Sequence, residues 1–346
     1  MTTNPADDLA IQAPESQPGA PAIGASPRTY RHWLHTGLSR GSLIVVWIAL
    51  IGLFTAIEPG VFFTGGTFQI IFGSQQALVF LAMAALCAFT VGEFDLSIAS
   101  NLGLAAILVP VLAVEHNMNV AVASVLAVAA CVLVGAVNAV VIVGLGIDAI
   151  VTTLGMATLV SGLTLGISGS TQVSGLTSRS AVIANTEVLG LPVTFYYGIA
   201  IATAFWYVLR FTALGRHMVF VGANRAVARL AGVRVTRIRV GAYLCSGLLA
   251  GLGGVILVDG LGGFDPSSSP SYLLPALSAA FLGTAVIEPG RFNPLGTLVA
   301  IYFLVTGIVG LQLLGYTGWV SDVFYGAALI TALIFSSVAR QRLLRR

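Results

Sequence analysis

The sequence has no lysine and little charge of either sign. Of its 346 residues only 8% are charged, and all 16 basic residues are arginine. Soluble domains carry about a quarter charged residues, so this composition excludes an ordinary soluble fold. A phosphate-binding loop of the Walker type and a pyridoxal Schiff base both need a lysine, which excludes those two enzyme classes. Any energy that the protein uses must come from an ion gradient or from another subunit.

Cysteine and histidine are also scarce. Cys87, Cys131 and Cys245 each fall inside a charge-free stretch, without paired spacing and without a neighbouring histidine. The four histidines form no ligand spacing typical of a metal site. The sequence therefore predicts no metal ion, no cofactor and no catalytic residue in this chain.

Long apolar runs take the place of the missing charge. Ten stretches of 17 or more residues contain no Asp, Glu or Arg: 41–57, 59–92, 96–114, 116–147, 149–178, 188–209, 240–258, 266–287, 292–321 and 323–339. A helix needs about 20 apolar residues to cross the hydrocarbon layer. The pattern predicts an all-α, polytopic membrane protein with about ten transmembrane helices.

The arginines indicate an orientation. If ten spans alternate and the N-terminus lies in the cytoplasm, 15 of the 16 arginines fall on the cytoplasmic side and Arg179 alone falls outside. Cytoplasmic segments of membrane proteins carry such an excess of positive charge. We therefore expect both termini to be cytoplasmic.

The chain divides into three parts by composition. Residues 1–40 are predicted to be a disordered cytoplasmic arm, 41–338 the transmembrane domain with a charged loop at 211–239, and 339–346 a basic cytoplasmic tail. Within the stretch 59–92, glycines near its start predict a short or re-entrant piece before the span.

The segment that we call the acidic turn, residues 92–97, carries Glu93 and Asp95 between two apolar stretches. A charged residue at the bilayer centre costs about 2.5–3.5 kcal/mol, so both belong near a boundary or in a wet cavity. Asp95 either caps the following helix, where a carboxylate meets unpaired amides, or lies with its segment on a translocation path.

The loop from Arg210 to Arg239 carries seven arginines. Within it, Asn224 is a suitable N-cap, Ala226 and Leu230 share a helical face, and Gly232 is a suitable terminator. A basic loop can serve only as a topogenic signal or a lipid contact. This order of residues instead predicts a short helix that docks on a partner.

Three motifs resemble those of the permeases of ribose-type (monosaccharide) ABC importers. The first is Gly-x-x-Asp-Leu-Ser-x-x-Ser, at 92–100. The second is Gly-x-Asn-x-x-x-Ala-Arg-Leu-x-Gly at 222–232, followed by Tyr-x-x-Ser-Gly-Leu-Leu-Ala at 243–250. The third covers 272–276, 281–284, 290–293 and 296–297. The chain departs from this pattern at Glu93, where the family usually has glycine or an apolar residue, and at Val227, where it usually has alanine.

The resemblance implies partners and roles. In such permeases a loop helix inserts into a separate ATPase subunit, which binds the ATP, and a periplasmic or lipid-anchored binding protein delivers the sugar. Two copies, or a pair with a related permease, form the path in the bacterial cytoplasmic membrane. The ATPase-docking residues would be Gly222, Asn224, Arg225, Ala228, Arg229, Leu230 and Gly232.

A sugar path needs uncharged hydrogen-bonding groups at membrane depth. The uncharged candidates are Gln75, Gln76, Asn101, Asn138, Thr164 and Gln312, and Asp95 and Ser97 are added as members of the acidic turn. Each of them can equally serve as a hydrogen-bonding contact between helices.

Other functions stay open from the sequence. Related permeases serve branched-chain amino acids or nucleosides. An ion-coupled secondary transporter would need an ionisable group inside the membrane, for which Glu93, Asp95 and Asp322 are the arguable residues. A membrane-embedded enzyme would need a carboxylate or histidine cluster, which the sequence does not suggest.

Overall fold

The computed structural model describes residues 28–176, 182 and 186–344, with the backbone alone described at 28–42 and 335–344. The chain divides into a short N-terminal unit, Met1–Gly37, and a body, Leu38–Arg346. The predicted arm lies outside the described residues as far as position 27, and from Arg28 the backbone is helical. The predicted basic tail is helical as far as Leu344.

Helices account for nearly all of the described secondary structure, because apolar segments that lie in lipid must pair their own backbone groups. They are α1 Arg28–Ile57, α2 Gly65–Gly73, α3 Gln76–Thr90, α4 Ile98–Pro110, α5 Val120–Ala139, α6 Ala149–Ile167, α7 Val193–Phe211, α8 Ala213–Ala223, α9 Arg225–Leu230, α10 Val235–Leu261, α11 Leu273–Gly283, α12 Pro294–Leu313 and α13 Trp319–Leu344. Single π-helical turns, Val111–Glu115 and Val140–Gly144, extend α4 and α5, and a 3₁₀ helix, Pro266–Tyr272, precedes α11.

Two short antiparallel strand pairs occur among the described residues. Strand β1, Val173–Ser174, pairs with β4, Gly263–Phe264. Strand β2, Glu187–Val188, pairs with β3, Leu191–Pro192.

Within the described residues, six helical segments are long and apolar enough to cross a membrane. They are Gly65–Thr90, Ile98–Glu115, Val120–Gly144, Ala149–Ile167, Val235–Leu261 and Pro294–Leu313. The number becomes seven if α7 and α8, which meet at 77°, form one broken span. Two shorter apolar stretches, Leu43–Ile57 and Trp319–Ile334, flank this set. The prediction of a polytopic helical membrane protein is confirmed.

Within 59–92 a short helix, α2, precedes α3 as predicted, although the two helices together make one candidate span, Gly65–Thr90. Helix α2 has nine residues, begins after the N-cap Thr64 and ends before Ser74. Helix α3 begins two residues later, at Gln76.

Helix α3 lies at the centre of the fold, since all fifteen of its residues are buried. Helix α10 packs against α3, α4 and α5, and α11 packs against α12 and α13. Glycine permits the closest approaches: a Cβ at Gly254 of α10 would overlap the carbonyl oxygen of Leu102. Helix α6 differs, because a Cβ built at its Gly155 or Gly162 would meet no described atom within 4 Å apart from its chain neighbours and the helix's own backbone.

Candidate functional site

The acidic turn ends α3 and leads into α4. Gly92 has φ +73°, a left-handed conformation that favours glycine and reverses the chain after the helix. The turn then brings both of its carboxylates inside the protein, since Glu93 is 4% exposed and Asp95 is 3% exposed. Buried carboxylates need hydrogen-bonding or charged partners, and the two obtain them differently.

Asp95 is held by hydroxyl groups and one amide. Its Oδ1 accepts from the Ser97 amide at 3.0 Å and the Ser97 hydroxyl at 2.6 Å, and its Oδ2 accepts from the Ser246 hydroxyl of α10 at 2.7 Å. Burial raises the pKa of the Asp95 carboxyl, and the hydrogen bonds from Ser97 and Ser246 act against that rise. Ser97, not Asp95, is the N-cap residue of α4. Asp95 therefore stabilises the turn that leads into the helix and does not cap the helix itself.

The hydrogen-bond network continues into α5. The Asn138 side chain donates to the Ser97 hydroxyl at 2.9 Å, which joins three of the path residues predicted from the sequence. Asn101 instead donates to the Cys131 carbonyl at 3.1 Å and connects α4 with α5. Among the described residues, the Oδ1 atoms of Asn101 and Asn138 are buried without a hydrogen-bond partner.

The three glutamines predicted for the path lie elsewhere. Gln75 and Gln76 stand at the break between α2 and α3, and the Gln76 side chain donates to the Gly73 carbonyl. Gln76 and Thr194 line an open cavity of about 140 Å³. Gln312 is exposed near the end of α12 and donates to the Ser321 hydroxyl at 3.4 Å. The predicted path residues therefore occupy three separate regions.

Glu93 is held by two guanidinium groups. Arg225 of α9 lies 2.8 Å from its Oε1, and Arg239 of α10 donates to the same oxygen at 2.5 Å. The Tyr243 hydroxyl contacts Oε2 at 3.4 Å. Charge-assisted hydrogen bonds of this kind are about twice as strong as neutral ones.

One face of α10 supports the whole acidic turn. Arg239 and Tyr243 contact Glu93, and Ser246 contacts Asp95. These three residues are spaced i, i+4 and i+7, so they share one side of the helix. The sequence did not predict this arrangement. Tyr243 and Ser246 belonged to a family motif without a role, and Arg239 could not be distinguished from the other arginines of the loop.

Helix α9, which we call the docking helix, forms as the sequence predicts. The Asn224 side chain accepts from the Ala226 and Val227 amides at 3.0 and 3.1 Å, as an N-cap does. At the other end Gly232 has φ +81°, and the Val233 amide donates to the Ala228 carbonyl at 3.0 Å. The predicted helix and both of its terminating residues are confirmed.

The docking helix has one inward and one outward side. Ala228 is fully buried against the body, whereas Val227 is 47% exposed and Leu230 is 88% exposed. Arg229 is exposed beside Leu230. Arg225 turns inward and also donates to the Gly92 carbonyl at 2.8 Å.

The end of α8, just before the docking helix, touches the end of α3 and the acidic turn through its backbone. A Cβ at Gly222, two residues before the N-cap, would overlap the carbonyl oxygen of Thr90 at the end of α3. A Cβ at Gly92 would lie 3.2 Å from the carbonyl oxygen of Gly222. The first and second sequence motifs are therefore in direct contact.

The third motif reaches the same place through aromatic rings. Phe89 of α3 lies 5.1 Å from Phe94, 5.0 Å from Phe281 and 5.0 Å from Phe292, measured between ring centroids. Ring pairs at such distances add to packing stability. All three motifs thus meet around the acidic turn, which sequence spacing alone could not reveal.

The segment that we call the Asn293 turn, residues 284–293, connects α11 to α12. The Asn293 side chain donates to the carbonyls of Gly283 and Val286, both at 3.1 Å, and accepts from the Gly296 amide at 2.6 Å. On the outside of this turn Arg210 and Glu288 form an ion pair at 3.2 Å. In the part of the chain that the structure describes, no group of three or more His, Cys, Asp and Glu residues could hold a metal ion.

These features define a multi-pass helical membrane protein in which a basic helical loop is fastened to a buried turn between two spans. Residues 42–333 match the family model described as "Branched-chain amino acid transport system / permease component", and the chain belongs to this permease family. It is thus a transporter component and not in itself an enzyme.

Individual relatives agree with this assignment. The chain is 28% identical to the ribose import permease protein RbsC of Escherichia coli K12 over 312 residues, which cover 88% of this chain and 95% of the relative. It is 32% identical to the autoinducer 2 import system permease protein LsrC of Enterobacter sp. strain 638 over 306 residues, 88% of each chain. No solved structure gives a significant match. The resemblance to ribose-type permeases is confirmed.

Proposed function

We propose that this chain forms the translocation path for a monosaccharide or a related small polyol in an ABC importer of the bacterial cytoplasmic (inner) membrane. The ribose and autoinducer 2 permeases named above support this substrate class. About ten crossings with both termini in the cytoplasm account for the position of 15 of the 16 arginines.

In this proposal the docking helix binds a separate ATPase subunit, and ATP is bound there and not by this chain. The observation that carries the proposal is the outward face of the helix, where Leu230 is 88% exposed beside an exposed arginine. Anchors on a short amphipathic helix fit an apolar groove on a partner. The absence of lysine from the sequence agrees with a motor on another subunit.

The remaining partners in this proposal are a periplasmic or lipid-anchored sugar-binding protein and a second permease, either a copy of this chain or a related one. Of the predicted path residues, Gln76 has the strongest support because it lines an open cavity. Asp95 and Asn138 are both hydrogen-bonded to Ser97. We assign these three residues the structural role of stabilising the acidic turn.

The family model's description favours branched-chain amino acids as a second substrate class. Uptake of radiolabelled ribose and of radiolabelled leucine, in cells that express the complete transport system, separates the two. Uptake of ribose but not leucine supports the proposal, and the reverse result overturns the sugar assignment. Uptake that survives ATP depletion but stops with an uncoupler would replace the importer with an ion-coupled transporter.

Docking can be tested with a matched pair of leucines. We expect Leu230→Asp to abolish co-purification of the ATPase subunit with the tagged chain, because an anchor in an apolar groove becomes charged. Leu189, which is 92% exposed in the turn between β2 and β3, provides the control Leu189→Asp. Equal recovery of the ATPase with both variants would contradict the docking role.

A further inference from the structure

Glu93 connects three elements of the chain: the acidic turn that carries it, the docking helix through Arg225, and α10 through Arg239. The three sequence motifs give this carboxylate no role, because position 93 is one of the unspecified positions of the Gly-x-x-Asp-Leu-Ser motif. Its bonds to two arginines therefore need their own explanation.

The docking helix cannot move independently of the acidic turn while these contacts hold. Arg225 bonds to the Glu93 carboxylate and to the Gly92 carbonyl, both at 2.8 Å. Gly222, just before the helix, packs backbone to backbone on Thr90. A displacement of the helix must carry the acidic turn with it or break the bonds of Arg225.

The two arginines differ in how easily they can leave Glu93. The Arg225 side chain is 41% exposed and can return to water, whereas the Arg239 side chain is 16% exposed and stays inside. A buried carboxylate without a partner is strongly unfavourable. Because Arg239 stays bonded, Glu93 keeps a partner when Arg225 withdraws, and the contact with the docking helix can open and close.

The turn can pass a displacement to α4. Asp95 follows Glu93 by two residues and is bonded to the Ser97 amide and hydroxyl at the start of α4. The aromatic contact between Phe89 and Phe94 fixes the turn to α3 on its other side. A displacement of residue 93 therefore also displaces the residues that contact the end of α3 and the start of α4.

We propose that Glu93 is a positioning residue that transmits movement of the docking helix to the acidic turn, with Arg225 as the releasable partner and Arg239 as the permanent one. This inference rests on the proposed function, because the ATPase subunit supplies the movement.

Hydrogen exchange on the complex of the chain with its ATPase subunit, in lipid nanodiscs, tests the inference. In the wild type, ATP with vanadate should change the exchange of peptides from both the docking helix and residues 92–101. In Glu93→Gln the docking helix should still respond, while the response of 92–101 should fall by about fivefold or more. Glu288→Gln, which breaks the exposed pair with Arg210, should respond as the wild type does.

Arginine variants separate transmission from a merely structural role. Arg225→Gln should lose the response of 92–101, and Arg225→Lys, which keeps a positive charge, should recover most of it. Because Arg225 is partly exposed, we expect its variants to fold and assemble. They therefore test the transmission even if Glu93→Gln does not assemble.

The possible failures are distinguishable. A normal response of 92–101 in Glu93→Gln, or in Arg225→Gln, with the ATPase bound overturns this inference alone. An ATPase that does not co-purify with the wild-type chain overturns the proposed function and this inference with it.

Discussion

The acidic turn and the Asn293 turn both connect two packed helices and both carry a glutamate, but they are stabilised in different ways. In each turn an Asp or Asn side chain accepts a hydrogen bond from a backbone amide two or three residues downstream. Each turn also contributes a phenylalanine, Phe94 or Phe292, that contacts Phe89. Glu93 in the first turn is 4% exposed and bonded to two arginines, whereas the Glu288 side chain in the second is 34% exposed and bonded to Arg210. The first turn is tied by buried charge to the docking helix, and the second is tied mainly to its own backbone.

The largest effect on stability should come from the backbone contacts of the second turn. Asn293→Ala removes an N-cap and two further hydrogen bonds, to the buried carbonyls of Gly283 and Val286, each of which keeps one backbone amide donor. We expect the free energy of unfolding to fall by about 3 kcal/mol. The measurement is the unfolding midpoint of the protein in detergent micelles, with Asn119→Ala, at an exposed N-cap, as the control. Equal losses for the two variants would mean that the turn does not depend on Asn293.

The next effect tests the charged contacts of the first turn. Glu93→Gln leaves Arg239 inside the protein without its carboxylate, and we expect a loss of about 2 kcal/mol, reduced by the partial exposure of Arg225. The loss should persist at high salt because the carboxylate is buried. A loss that disappears in high salt would place Glu93 at the surface and remove the contrast between the two turns.

A smaller effect tests the hydroxyl side of the acidic turn. Ser246→Ala removes the donor to the Asp95 Oδ2 atom, while both contacts from Ser97 stay in place. We expect a loss of about 1 kcal/mol in the same unfolding measurement. Ser267→Ala, at an exposed aspartate on the 3₁₀ helix, is the matched control with a similar serine-to-carboxylate bond. A larger loss at Ser267 than at Ser246 would contradict the importance of burial.

The smallest effect belongs to the surface pair. Glu288→Gln should change the free energy of unfolding by at most about 1 kcal/mol, since exposed ion pairs contribute little. If this change equals that of Glu93→Gln, the two turns do not differ in the way their charges suggest.

Local signals in the sequence predicted part of this structure correctly. Asn224 and Gly232 determine the ends of the docking helix by bonds within a few residues, so their pattern is readable from the chain alone. The glycines at 60, 65 and 66 likewise indicated a separate short piece, and the nine-residue helix α2 is found there before α3.

Long-range contacts explain what the sequence could not show. Glu93 and Arg239 are 146 residues apart, and nothing local relates them. Arg225 was grouped with the residues that face the ATPase, yet its guanidinium bonds to Glu93 and Gly92. Hydropathy also fails to separate interior helices from exposed ones, as α3 is entirely buried while the candidate span Ala149–Ile167 is only 17% buried.

The bonding of Glu93 has a consequence for the evolution of the family. A relative with glycine at position 93 and arginines at 225 and 239 would place two guanidinium groups beside each other with no carboxylate between them. Such a combination should be rare, so these three positions should change together among homologues, as contacting residues do. We therefore expect the carboxylate and its two arginines to be inherited together, with a mutation at position 93 changing which residues are tolerated at 225 and 239.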